Sequence, residues 1–246
     1  MCAQAKIRRS ATPRTGPAVG IPGLVGHTVS TGVKSVPYTG MVGCRYVTCF
    51  VDHYSRLGFC YFIRHKNESA KIIKKKLREM QCLGVGVRAV QSDRESECFS
   101  QEGDTHQDRD RHQAEFTKAC DIFTPKVHHV VTAVGQKEKL GEVFFRDDFE
   151  AADSILWNAR LSPVFWADAI SYSVYIHNRT PIRRGSGPRT PLEIVTGDNS
   201  RWGKLKVFGC TVHQHIPNNT LAKIPGVPEG KRLLFMGFSH LGVISP

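Results

Sequence analysis

Asp93 and the lysines upstream of it are where this sequence could do chemistry. A short apolar run at 87–91 ends in Ser92-Asp93. An Asp at the carboxyl end of a sheet strand points into the crevice where α/β sheets bind their ligands. Upstream, Lys71, Lys74, Lys75 and Arg78 fall at i, i+3, i+4 and i+7, which is one face of a helix. Such a row is either a solvated charged face or a set of phosphate contacts; the latter would be salt-sensitive and blind to base sequence. Other candidates carry less. His106, His112, Asp104, Asp108 and Asp110 sit in 101–115, a polar stretch nearly free of apolar residues, where nothing would fix a ligand geometry. Gly84-Val85-Gly86 follows a helical pattern and precedes a strand, the reverse of the dinucleotide fingerprint. The eight cysteines include no CxxC pair, which suits buried free thiols and neither a disulfide framework nor a closed zinc site.

The elements that must position these groups begin with 46–63, YVTCFVDHYSRLGFCYFI. Two strand-length runs, β-branched and aromatic, flank a polar break and read as a long antiparallel hairpin. Both faces of the first run are largely apolar, so it belongs inside a sheet covered on both sides. Asn67 can cap a helix in which Ala70, Ile73, Leu77 and Met80 share the apolar face. Pro163 opens a second helix that Trp166, Ala169, Ile170 and Val174 would pack onto the core, and Pro181 ends it. Residues 1–25 have no apolar period and read as a linker; a Gly/Pro-rich linker spans 181–191.

With 246 residues the chain has room for one large and one small domain. Its 34 Lys and Arg against 22 Asp and Glu leave a net charge of +12, which favours a polyanionic partner, nucleic acid being the commonest. An unrelated basic protein would share that balance. No apolar run approaches a membrane span. Residues 1–51 lack acids and so mimic a transit peptide, but the resemblance below covers them, and a nuclear or cytoplasmic, not secreted, location is expected.

FVDHYSRLGFCYFIRHKNES resembles the integrase core of copia-type retrotransposon polyproteins, where an F-[IV]-D-D-Y-S-R hairpin is followed by an aromatic strand and K-[NS]-E. The likeness continues through PVFWADAISYSVYIHNRTP and TPLEIVTG, which are similar to F-W-[AG]-[ED]-A…Y-[IL]-x-N-R-x-P and T-P-x-E-x-[WL]-x-G. The resemblance implies an α/β, RNase H-like core, with a central mixed sheet flanked by helices, followed by a small, incomplete SH3-like β-domain. The expected division is 1–25, the tail of a pre-integrase zinc segment of which only Cys2 remains; 26–180, the core, with the 101–115 insertion; the 181–191 linker; and 192–246, the truncated β-domain. The implied activity is DNA integration by two-metal phosphoryl transfer with Mg²⁺ or Mn²⁺. The implied partners are retroelement ends and target DNA, and the resemblance admits an oligomer.

The resemblance also implies the ligands. Asp93 matches the second carboxylate, and counting back from 146–156 puts Glu142 on the helix glutamate; a helix-terminal acid favoured by the macrodipole would look the same. Together they are expected to face each other across the crevice. The first-strand motif H-[ST]-D-x-x-G-P is met by His27, Thr28 and Gly32, but Val29 stands where the Asp belongs. Deletion of that Asp would leave the same text. Asp52 matches a different family Asp and does not replace it. Val29 is expected beside the strand that ends at Asp93, with its side chain in the crevice. The expectation is an integrase region impaired in metal binding and catalysis; the alternative is a non-catalytic nucleic-acid-binding remnant.

Overall fold

The computed structural model describes residues 25–41, 43–82, 86–92, 114, 139–184, 187–197, 205–215 and 230–238. Three strands follow in succession: β1 (Val25–Ser35), β2 (Tyr46–Asp52) and β3 (Gly58–Ile63). Helix α1 (Ser69–Cys82) leads to β4 (Gly86–Ser92). The sheet runs in the order β3-β2-β1-β4. β2 is antiparallel to both its neighbours and β4 is parallel to β1. A parallel partner needs a long return connection, and α1 lies in it. Residues 28–32, 46–52, 59–63 and 87–91 therefore share one mixed sheet with helices packed on both of its faces.

Strand alternation sorts the core into two layers. On one side Val29, Phe50 and Val90 pack with Ile73, Leu77 and Met80 of α1. On the other, Val47, Cys49, Val51 and Cys60 pack with Phe144, Ala152 and Leu156 of α2 (Lys139–Ala159). Helix α3 (Trp166–His177) joins that second layer through Trp166, Ala169, Ile170 and Val174, the residues expected to pack it. Entry to α1 is through a 3₁₀ turn at Lys66–Glu68, where the His65 N–H donates to Glu68 Oε1 at 3.1 Å. The helix thus starts beyond the expected Asn67 cap.

Two of the family-like strings explain themselves as folding devices. In the 52–58 turn, Asp52 is buried and accepts from the Ser55 backbone N–H (2.8 Å) and hydroxyl (2.5 Å); Arg56 takes φ 63°, and its N–H bonds back to the Asp52 carbonyl at 2.8 Å. In TPLEIVTG, Thr190 Oγ1 accepts from Glu193 N (3.1 Å) while Thr190 N donates to Glu193 Oε2 (2.9 Å). That capping box opens α4 (Pro191–Thr196), and Gly197 at φ 73° closes it.

A strand pair, β5 (Ile182–Arg184) with β6 (Gly187–Arg189), precedes α4, and β7 (Thr211–His215) pairs with β8 (Gly230–Leu234) beyond it. Around them the chain docks onto α3. Tyr175 stacks on Phe238 with centroids 4.6 Å apart, and Tyr172 packs against Phe208 and Phe235. Phe208 belongs to the same buried cluster as α2 and α3.

Candidate functional site

The parallel pairing of β1 with β4 brings the candidate first-strand position beside the strand that leads to Asp93. Val29 pairs with Val90, Ser30 with Gln91 and Thr31 with Ser92. Asp93 follows β4 directly and lies outside the described residues, as do 101–113, and the expected meeting of Asp93 with Glu142 lies outside them too. Glu142 itself is described. It is exposed in the first turn of α2, where a carboxylate is stabilised by the helix dipole.

Val29 does not point where the sequence reading put it. It is 1% exposed and packed among Phe50, Ile73, Leu77, Met80 and Val90 on the α1 side of the sheet. The reason is register: Val29 is opposite Asp52, Ser30 opposite Val51, and Gly32 opposite Cys49. Directly opposed residues share a face, and Val51 and Cys49 belong to the α2 layer. The β1 residues that look towards α2 are therefore Ser30 and Gly32. A Cβ on Gly141, next to Glu142, would sit 3.5 Å from Ser30 Cβ, and one on Gly32 would collide with the Phe145 ring. Ser30 is buried, and its hydroxyl lies 2.7 Å from His53 Nε2. A hydroxyl and an imidazole thus stand where β1 meets the start of α2.

Among the described residues, β1 presents no carboxylate towards α2. Two divalent ions in such a site are held mainly by carboxylates, and the α2-facing β1 position offers a hydroxyl already hydrogen-bonded to His53. Among the described residues no three His, Cys, Asp or Glu side chains gather to hold a metal. Asp52 is committed to its turn.

The basic row is at the surface, Lys71, Lys75 and Arg78 exposed and Lys74 half-buried. Lys76, which the sequence pattern did not single out, is buried, with its ammonium 3.4 Å from the Phe59 ring centroid and 3.6 Å from Glu79 Oε2. Burial lowers the Lys76 pKa, and Glu79 opposes that shift.

Sequence reasoning also missed an acid inside the second layer. Along the inner face of α2, Phe144, Asp148, Ala152 and Leu156 are buried while Phe145 and Phe149 are partly covered. Asp148 Oδ1 accepts from the Ser173 hydroxyl at 2.6 Å, and His177 Nδ1 stands 3.5 Å from Oδ2, an ion-pair distance too long for a good hydrogen bond. His177 Nε2 lies 3.1 Å from the Arg56 carbonyl oxygen, towards which it donates, and the Phe144 ring packs edge-on against the imidazole. Burial raises the Asp148 carboxyl above its ordinary value, partly offset by His177 and Ser173. The only sequence signal was the four-residue spacing with Phe144, which hydrophobicity alone passes over.

No family model matches the chain. It is 26% identical over 189 residues to the Retrovirus-related Pol polyprotein from transposon TNT 1-94 of Nicotiana tabacum, a match covering 75% of this chain and 13% of that protein. It is also 26% identical over 221 residues to the corresponding polyprotein from transposon RE2 of Arabidopsis thaliana, covering 86% of this chain and 13% of the relative. The chain is thus similar over most of its length to copia-type retrotransposon Pol polyproteins, and it spans only that small share of them. A solved structure of the HTLV-2 integrase catalytic core domain in complex with magnesium (trimeric form) overlaps 70% of this chain and 97% of its own, at 17% identity and TM-score 0.45. No helix among the described residues is long and apolar enough to cross a membrane.

Proposed function

We propose that the chain is the integrase region of a copia-type retrotransposon Pol polyprotein, a DNA-binding unit whose strand-transfer chemistry is impaired in this copy. The observation that carries the impairment is the β1 register: the residue facing the start of α2, beside Gly141, is Ser30, and Val29 is committed to the opposite core. Integration by two-metal phosphoryl transfer needs a carboxylate on that strand, and the chain supplies none there. Asp93 and Glu142 remain as the other two ligands of the reading, able to hold Mg²⁺ or Mn²⁺ only weakly between them. Lys71, Lys74, Lys75 and Arg78 supply sequence-independent phosphate contacts, favoured by the net charge of +12. In this reading residues 26–180 form the core and 192–246 an SH3-like unit, with the β5–β6 strand pair standing in the 181–191 connection between them. A non-catalytic nucleic-acid-binding remnant is the second reading, favoured by the exposed basic row.

The test is a strand-transfer and nicking assay on labelled duplex oligonucleotides with Mg²⁺ or Mn²⁺, beside a binding titration at several salt concentrations. The expected result is salt-dependent binding, with product at background and unchanged by Glu142→Gln. Product formation that Glu142→Gln abolishes would overturn the impairment. Absence of DNA binding at low salt would overturn the whole reading.

A further inference from the structure

The basic row and Glu142 are on opposite layers of the sheet. Helix α1 lies on the Val29–Phe50–Val90 face and α2 on the Cys49–Val51 face. Because Ile73, Leu77 and Met80 face the sheet, Lys71, Lys75 and Arg78 point away from it. Two interlayer spacings of about 10 Å and a helix radius of about 5 Å put the row on the order of 25 Å from the axis of α2. A straight duplex lying against one of these surfaces does not reach the other.

We propose that the outer face of α1 is a second duplex-binding surface, which holds a stretch of nucleic acid separate from the one presented to the Glu142 side. This rests on the DNA-binding reading above. From Lys71 to Arg78 the cations run about 10 Å along a rigid helix, a length over which duplex DNA carries about six phosphate charges. No acidic residue interrupts the row, and the Glu79 carboxylate is engaged by buried Lys76. The large apolar side chains exposed among the described residues are Tyr38, Met41, Tyr54, Trp157, Val207 and Leu234, none of them on α1. The face therefore has no apolar anchor for a membrane or for a protein interface core, and its chemistry is that of backbone phosphate binding.

The experiment uses the full chain at concentrations where sedimentation shows a monomer, with donor-labelled and acceptor-labelled duplexes mixed. Energy transfer and sedimentation report how many duplexes each chain holds. The parent is expected to hold two. The α1-bound duplex should weaken about 150-fold between 50 and 200 mM salt if all four cations contact phosphate. Lys71→Glu/Lys75→Glu should hold one duplex and lose the energy transfer, with helical circular dichroism unchanged, whereas Lys71→Arg/Lys75→Arg should keep both. One duplex per parent chain would overturn this inference while leaving the DNA-binding reading standing. So would a Glu variant that keeps two, or one that keeps none. A parent that binds no duplex would overturn both.

Discussion

Replacing Val29 by Asp is the repair that the sequence motif invites, and the structure predicts that it fails. The side chain is 1% exposed between Phe50, Val90 and the apolar face of α1. Removing the Val forfeits about 1.5–3 kcal/mol of apolar burial. Leaving a carboxyl group there without a partner costs about 1–3 kcal/mol more, even if it stays protonated. The sum, about 2.5–6 kcal/mol, is a large part of the roughly 5–15 kcal/mol that holds a typical domain together. At a urea dependence of about 2–3 kcal/mol per M, the midpoint should fall by about 1–3 M. Urea unfolding followed by circular dichroism measures the loss, and calorimetric titration with Mn²⁺ measures any metal bound. Ser30→Asp puts a carboxylate on the α2 side beside His53 instead. It should crowd Gly141 at a cost of about 1–3 kcal/mol, yet gain Mn²⁺ affinity. A Val29→Asp protein with parental stability and a clear Mn²⁺ heat would refute the register argument.

Asn178→Ala should cost about 2–5 kcal/mol, because the amide donates to the Gly58 carbonyl and accepts from its N–H, both at 2.8 Å and buried; a urea midpoint within error of the parent would contradict this. For Asp148, burial raises the carboxyl pKa above its ordinary value, so the folded state binds the proton more tightly than the unfolded chain. Its contribution is present at low pH and is lost as pH rises from about 4 through the folded pKa. Asp148→Asn should remove that fall while keeping an acceptor for Ser173, and stability curves of the two proteins that stay parallel across the acid range would refute it. Lys76→Met should change stability by no more than about 1 kcal/mol or raise it, since a buried ammonium gains little over an apolar stem; a loss of several kcal/mol would show that its contacts with Phe59 and Glu79 dominate.

The hairpin at 46–63 was legible because both of its faces are apolar, which only a sheet covered on both sides accommodates. The inward residues of α3 were legible for the same kind of reason. The direction of Val29 was not. A strand alternates faces with every residue, so one missing residue reverses every later assignment, and the string H-T-V-S reads equally as substitution or deletion. Pairing with β2 decides it, and pairing is a non-local fact. β1 also has register irregularities against β4 between Val25 and Thr28, close to where the carboxylate is missing. Asp148 escaped notice because its partners, Ser173 and His177, come 25 and 29 residues later on another helix.

The amide of Asn178 that seals Gly58 bears on how the chain is made. Among the described residues β3 is an outer strand of its sheet, and this side chain arrives 120 residues after the backbone it caps. At about 5–20 residues per second of synthesis, the start of β3 waits on the order of 6–24 s for its partner. During that interval the β2–β3 hairpin, with its aromatic face and an open edge, can pair with another nascent copy. Chaperone dependence during translation, and inclusion bodies when translation is fast, are the behaviour that this single long-range contact leads one to expect.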